Sequence, residues 1–204
     1  MIDIIGEVKC WVRDLEEAWT KENDRQRTEV MRENAALFME FDITAPRPIV
    51  WEHLTHPGHR PKWQGSDEVR EMTATGRRGV GTTNHCMHGP AAIIEEILDW
   101  RPFDYVTLAT LVPHPGAPKI LLTYAFADND GSTRLEVRVG KPKAKDKAIF
   151  EQIGAGFPQM FEGSIRNLRL LVENRLDAAA IVEEPAMPTL SERFLSEPVH
   201  SHQR

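Results

Sequence analysis

The 204 residues carry a formal charge of −6, with 41% hydrophobic and 27% charged residues, enough apolar material for one core plus appendages. The acidic balance speaks against a nucleic-acid partner, because phosphate binding calls for a basic face. The two cysteines, Cys10 and Cys86, are far apart and in no CxxC pair, which argues against a disulfide framework and fits a reducing compartment, the cytoplasm.

Residues 1–34 read as a strand/helix extension. The start, Met1 to Glu7, lacks the basic region and long apolar run of a signal peptide. Val8, Cys10 and Val12 alternate with Lys9, Trp11 and Arg13, as in a short strand. Asp14, followed three residues later by Glu17, predicts a capped helix start. The polar run 21–32 predicts a solvated helix or a linker. No stretch of the chain approaches the roughly 20 apolar residues of a bilayer span.

The main domain is expected over 35–178. It opens with a strand, Ala36–Ile43, then a helix from Pro46 on which Val50 and Leu54 share a face beside Trp51. A second helical turn is expected between Pro57 and Trp63. Five further strands are predicted at Val69–Ala74, Gly79–His88, Ala91–Trp100, Tyr105–Val112 and Ile120–Ala127. The clearest is the last, Thr133–Val139, in which Leu135, Val137 and Val139 alternate with charged residues. Gly76, Gly89-Pro90, Arg101-Pro102 and Asn129-Asp130-Gly131 punctuate them, as in an antiparallel meander. From Asp146 the apolar period changes to three and four, through Ile149, Ile153, Phe157, Phe161, Ile165 and Leu168. This predicts a long amphipathic helix over 146–176, interrupted near Gly154–Pro158. The proline-bearing remainder, 179–204, reads as a disordered tail.

The expected fold class is therefore α+β: a curved antiparallel sheet of about six to seven strands wrapped around a long C-terminal helix. Three segments resemble the START-like (Bet v 1-like, SRPBCC) superfamily of polyketide cyclase/dehydrase type. They are Asp42–Thr55, with its Ala-Pro turn and Val-Trp pair, Gly79-Val80-Gly81-Thr82, and Leu98-Asp99-Trp100-Arg101-Pro102-Phe103. The resemblance implies a helix-grip fold with a ligand site between sheet and terminal helix. It also implies a small hydrophobic molecule, lipid- or polyketide-like, as partner. No catalytic motif is shared across that superfamily, so carrier, sensor and enzyme all remain open.

Candidate residues follow from this frame. Trp51, Trp63, Trp100, Tyr124, Phe126, Phe157 and Phe161 are the large aromatics expected to line the ligand site, with Tyr105 in or beside the grip. In Asn84-His85-Cys86-Met87-His88, strand alternation puts His85 and His88 on opposite faces and Cys86 with His88. That spacing argues against a metal site, and neither metal nor cofactor is expected. His88 is read as a polar wall residue, and a Cys86 nucleophile as the less ordinary alternative to a buried small hydrophobe. Glu95 and Asp99 share one face and Glu96 the other, with Ile94, Leu98 and Trp100. Glu96 is therefore the carboxylate placed inside. His85, His88 and Glu96 are the candidates for general acid/base work in a cyclase, dehydratase or hydrolase. Arg166, Arg169 and Arg175, interspersed with acids, read as a solvated face. The last possibility is an accessory domain that docks a nucleotide-cyclase-type or other protein partner through residues 1–34.

Overall fold

The computed structural model describes residues 12–18, 20–21, 27–74 and 76–173. In chain order these give β1 (Ala35–Ile43), α1 (Arg47–Thr55), α2 (Arg60–Gln64), β2 (Glu68–Met72), β3 (Thr83–His88) and β4 (Ala91–Arg101). There follow β5 (Tyr105–Leu111), β6 (Ile120–Asn129), β7 (Ser132–Gly140), α3 (Lys147–Gly154) and α4 (Phe157–Val172). The seven strands form one antiparallel sheet in the order β1-β7-β6-β5-β4-β3-β2.

β1 and β2 follow one another in sequence but lie at opposite edges of the sheet. The connection bearing α1 and α2 must therefore run from edge to edge, and it does so on the inner side. There α2 and α1 pack against α4. This is the helix-grip arrangement. Hairpin turns fix the register where the sequence placed them. Asp130 and Gly131 both take positive φ, 51° and 80°, as a two-residue turn matched to strand twist requires.

The terminal helix is interrupted as expected. α3 ends at Gly154, Gly156 precedes α4, and Pro158 sits in the first turn of α4, where its missing N–H leaves no bond unmade. α4 buries Phe157, Phe161, Ile165 and Leu168, spaced by four, four and three, each worth roughly 1.5–3 kcal/mol relative to exposure. They meet Leu122, Tyr124 and Phe126 of β6, Leu135, Val137 and Val139 of β7, and Val106 and Leu108 of β5 in a single core.

The extension departs from expectation. Val12 and Arg13 are already helical, so Asp14 lies inside a helix rather than capping it, and Val12 is not in a strand. Val8 and Cys10 lie outside the described residues, as does the tail from 174 onward. Residues 27–31 are not a solvated linker. They cross the outer face of the sheet as an extended strap, with Val30 buried. The Val30 N–H donates to Thr123 Oγ1 (3.0 Å), the Thr28 N–H to Asp99 Oδ2 (3.0 Å), and Arg27 Nε to the Tyr105 hydroxyl (3.2 Å). Tyr105 is correspondingly on the outer face, away from the grip.

Candidate functional site: a polar cluster inside the grip

The inner face carries a polar patch at its β3–β5 side. On β3, Asn84, Cys86 and His88 are buried while Thr83, His85 and Met87 are half-exposed, so the alternation read from the sequence holds. Asn84 stands directly opposite Glu95 on β4, and Glu95 directly opposite Thr110 on β5. Partners in such a row share a face. Into it α2 delivers Arg60 and Gln64, one turn apart on the helix. Arg60 Nη2 meets Glu95 Oε2 at 2.5 Å with both side chains 3% exposed, and Arg60 Nε donates to Gln64 Oε1 (3.0 Å). Cys86 Sγ lies 3.9 Å from both Glu95 Oε2 and Gln64 Oε1.

The charges set the chemistry of their neighbours. Burial alone would pull the Arg60 guanidinium down, but the Glu95 carboxylate outweighs it and holds Arg60 above its ordinary range. Burial, and then Glu95, push the Cys86 thiol up to about 12 and raise the Tyr124 hydroxyl. Cys86 is thus a protonated thiol at neutral pH, the opposite of an activated nucleophile. Burial also pulls His88 below the usual histidine range, against a hydrogen bond to the Gly65 carbonyl and the field of Asp67. The ring is then neutral near pH 7.

Three polar atoms on this inner face are buried without a hydrogen-bond partner among the described residues: Asn84 Oδ1, His88 Nε2 and Thr110 Oγ1. His88 Nε2 thus faces the interior with neither a donor nor an acceptor of the described residues against it. Buried polar atoms ordinarily have partners, and three bare ones on one face call for a water or a ligand.

The aromatic candidates come together on the same inner side. Trp51 meets Trp100 (4.8 Å between ring centroids) and Phe126 (5.3 Å) edge-on, and Tyr124 meets Phe161 (6.5 Å), which lies 6.1 Å from Phe157. Trp63 is buried, its indole N–H donating to the His53 carbonyl (2.9 Å).

The carboxylate assignment is reversed. Glu95 is buried inside and Glu96 points outward to Lys119 Nζ (3.2 Å), on the same outer side as Ala109 opposite it. The cause is a β-bulge. The β4–β5 register passes from Ile97↔Leu108 to Asp99↔Thr107, leaving Leu98 as an extra residue. Trp100 is inside, as expected, but counting back from it by twos crosses the bulge and lands on the wrong face. Glu95 and Ile97 face in, whereas Asp99, beyond the bulge, faces the strap. His85, the other acid/base candidate, lies on the half-exposed side of β3. Arg60 was not singled out in the sequence. An arginine between two prolines reads as surface, and only the crossing of 44–67 over the sheet turns it inward.

The family model "Polyketide cyclase / dehydrase and lipid transport" matches residues 36–173, and the chain belongs to that family. No curated protein matches the chain. Among solved structures, the protein MLL2253 of Mesorhizobium loti superposes with a TM-score of 0.52 at 17% identity, over 69% of this chain and 98% of that one. Ms6760 of Mycobacterium smegmatis gives 0.54 at 16% identity, over 72% and 97%. PFC0360w, an HSP90 activator from Plasmodium falciparum, gives 0.53 at 12% identity, over 68% and 96%. At these identities the likeness concerns the fold. No helix of the described residues is long and apolar enough to cross a membrane.

Proposed function

We propose that the protein binds a small, largely hydrophobic molecule with a polar head, between the sheet and α4, as a carrier or sensor. The observation that carries this reading is the set of bare polar atoms, Asn84 Oδ1, His88 Nε2 and Thr110 Oγ1, beside the Arg60–Glu95 pair in an otherwise apolar interior. The apolar part of the ligand would lie against Tyr124, Phe157 and Phe161, with Trp51, Trp63, Trp100 and Phe126 forming the rest of the wall. Apolar area drives such binding, at roughly 25 cal/mol per Å² before ordering costs, and the polar atoms fix orientation. The α3–α4 break next to Phe157 lets the wall adjust to ligand size. The domain that does this runs from the strap to the end of α4.

A second reading has one observation in its favour. Burial holds His88 below the usual histidine range and its Nε2 is buried without a partner, so a neutral ring with that nitrogen unprotonated would serve as a general base. A cyclase or dehydratase would use it to take a proton next to a carbonyl whose oxygen is hydrogen-bonded by the Tyr124 hydroxyl.

Native mass spectrometry for a co-purified ligand, followed by titration with a polarity-sensitive fluorescent fatty-acid analogue, tests the main reading. Saturable binding weakened by Tyr124→Phe and Phe161→Trp is expected. No retained ligand and no saturable binding would sink it. Binding that survives His88→Ala while turnover of a carbonyl substrate disappears would favour the enzyme.

A further inference from the structure

A separate cluster sits at the junction of α1 and α2. Glu52 and His56 are four apart and His59 follows after three more, so one helical face could carry all three if the helix went on. The helix ends at Thr55 and the backbone turns extended at His56 (φ −71°, ψ 124°), but a tight turn directly after it brings His59 back. The His56 N–H donates to the Glu52 carbonyl (2.9 Å), and the His59 and Arg60 N–H groups donate to the His56 carbonyl (3.0 and 3.2 Å). One ligand-capable atom from each of Glu52, His56 and His59 lies within 4.8 Å of the others. Ligand atoms around a tetrahedral ion, at about 2.0–2.1 Å from it, stand roughly 3.4 Å apart, a gap that small side-chain rotations close.

The rings are in a state to ligate. His56 Nδ1 accepts the Gly58 N–H (3.1 Å) and so carries a lone pair. Gly58 is exposed, so its N–H passes to water if that lone pair turns to an ion. His59 Nδ1 is buried and has no hydrogen-bond partner. His53 stacks on His59 (4.6 Å between centroids) with its own Nδ1 held against the Ile49 carbonyl (2.9 Å), and it steadies the His59 ring from the side. A space for the His56 ring depends on residue 58, where a Cβ would come within 3.3 Å of ring atoms.

We propose that Glu52, His56 and His59 bind a divalent transition metal of the zinc class. Two imidazoles and one carboxylate are borderline ligands that suit zinc, cobalt or nickel and not calcium or magnesium. Three protein ligands leave a fourth position for water on the exposed side. The ion ties the end of α1 to the start of α2, and Arg60, the residue after His59, is the one that reaches Glu95. Metal occupancy therefore stiffens the segment that delivers the buried guanidinium. This site is independent of the hydrophobic-ligand reading and stands or falls without it.

The test uses the full chain and the metal alone. Co²⁺ titration followed by visible d–d absorption, with Zn²⁺ competition, is expected to show one saturable site, and Zn²⁺ is expected to raise the melting temperature. Glu52→Ala and His56→Ala alter exposed side chains and leave the fold intact. Each should weaken binding by at least about 10–100-fold, the loss typical of removing even an outer-shell partner, and abolish the thermal shift. Gly58→Ala, which crowds the His56 ring, and His53→Ala should weaken it by less. His200→Ala combined with His202→Ala, which removes the histidines near the C-terminus, should leave the site untouched. The proposal is overturned if no saturable Co²⁺ site appears, if binding survives Glu52→Ala with His56→Ala, or if it is lost with the C-terminal histidines.

Discussion

The two faces of the sheet solve opposite problems with the same residue types. On the inner face one arginine and one carboxylate, Arg60 and Glu95, are sealed under α2 beside apolar side chains, and neighbouring polar atoms are left bare. On the outer face the strap 27–31, with Arg32 directly after it, brings a continuous network. Arg138 reaches Glu29 (2.6 Å), Glu136 (2.6 Å) and the Val30 carbonyl (3.1 Å), and Arg32 joins Glu136 to Glu40. Asp99 there accepts from Tyr105 (2.6 Å), Thr28 and Arg101, and the Thr107 and Thr123 hydroxyls are hydrogen-bonded to each other (2.8 Å). A network in which the partners are supplied is what a purely structural surface looks like. A buried pair among unpartnered atoms is what the proposed ligand site rests on. The comparison teaches that burial of charge alone does not single out the inner face, whereas the unpartnered atoms beside the pair do.

The largest effect should come from breaking the inner pair. Arg60→Ala is expected to destabilise the fold by about 3–5 kcal/mol, because it leaves a buried carboxylate without its partner. Arg60→Met combined with Glu95→Leu should recover most of that loss, since an apolar pair of similar volume avoids the desolvation of two charges. Denaturant unfolding of both variants checks this. A single variant costing under about 1 kcal/mol, the value of an exposed pair, would mean that the pair is wet and the contrast between the faces false.

Next, Leu168→Ala on α4, at 0% exposure, should cost about 2–5 kcal/mol, the price of a core cavity. The outer counterpart, Asp99→Ala, should cost less, about 1–3 kcal/mol, by stranding the Thr28 N–H and the Tyr105 hydroxyl. Its signature is local. Amide exchange should quicken at Thr28 and Val30 while β5 and β6 stay protected. Uniform loss of protection would show that the strap folds as one unit with the core.

The smallest and most graded effect is the pH response of the strap. At Asp99 and at Glu136, burial raises the carboxyl pKa, but hydrogen bonds outweigh it. Tyr105, Thr28 and Arg101 do so for Asp99, and Arg32 and Arg138 for Glu136, holding both below the ordinary range. A folded-state pKa below the unfolded value, about 3.9 for Asp and 4.3 for Glu, means stability that is present above those values. It is lost as pH falls through the lower folded values. Protection of the Val30 amide, corrected for intrinsic exchange, should stay level from pH 7 to 5 and then drop in acid. In Asp99→Asn the drop should be shallower. A flat profile down to pH 2 would detach these carboxylates from the strap.

The sequence by itself determined the architecture. Alternation marked β7, turn residues marked the hairpins, and the three-four period with its Gly-Pro break marked α3 and α4. These are local properties, set by side-chain direction and backbone φ. The inward aromatics and the split of His85 from His88 came from the same source. Tertiary structure alone decided the rest. Which carboxylate enters the grip was set by one extra residue at Leu98, since a bulge inverts the face of everything on one side of it and leaves no local mark in a strand of mixed polarity. That Arg60 turns inward follows from β1 and β2 lying at opposite edges, a fact of sheet order. That residues 27–31 are bound follows from acceptors on β4, β5 and β6 and a donor, Arg138, on β7, strands far away in the chain. Periodicity reports on neighbours along the chain, and a site is assembled from residues that only the sheet makes neighbours.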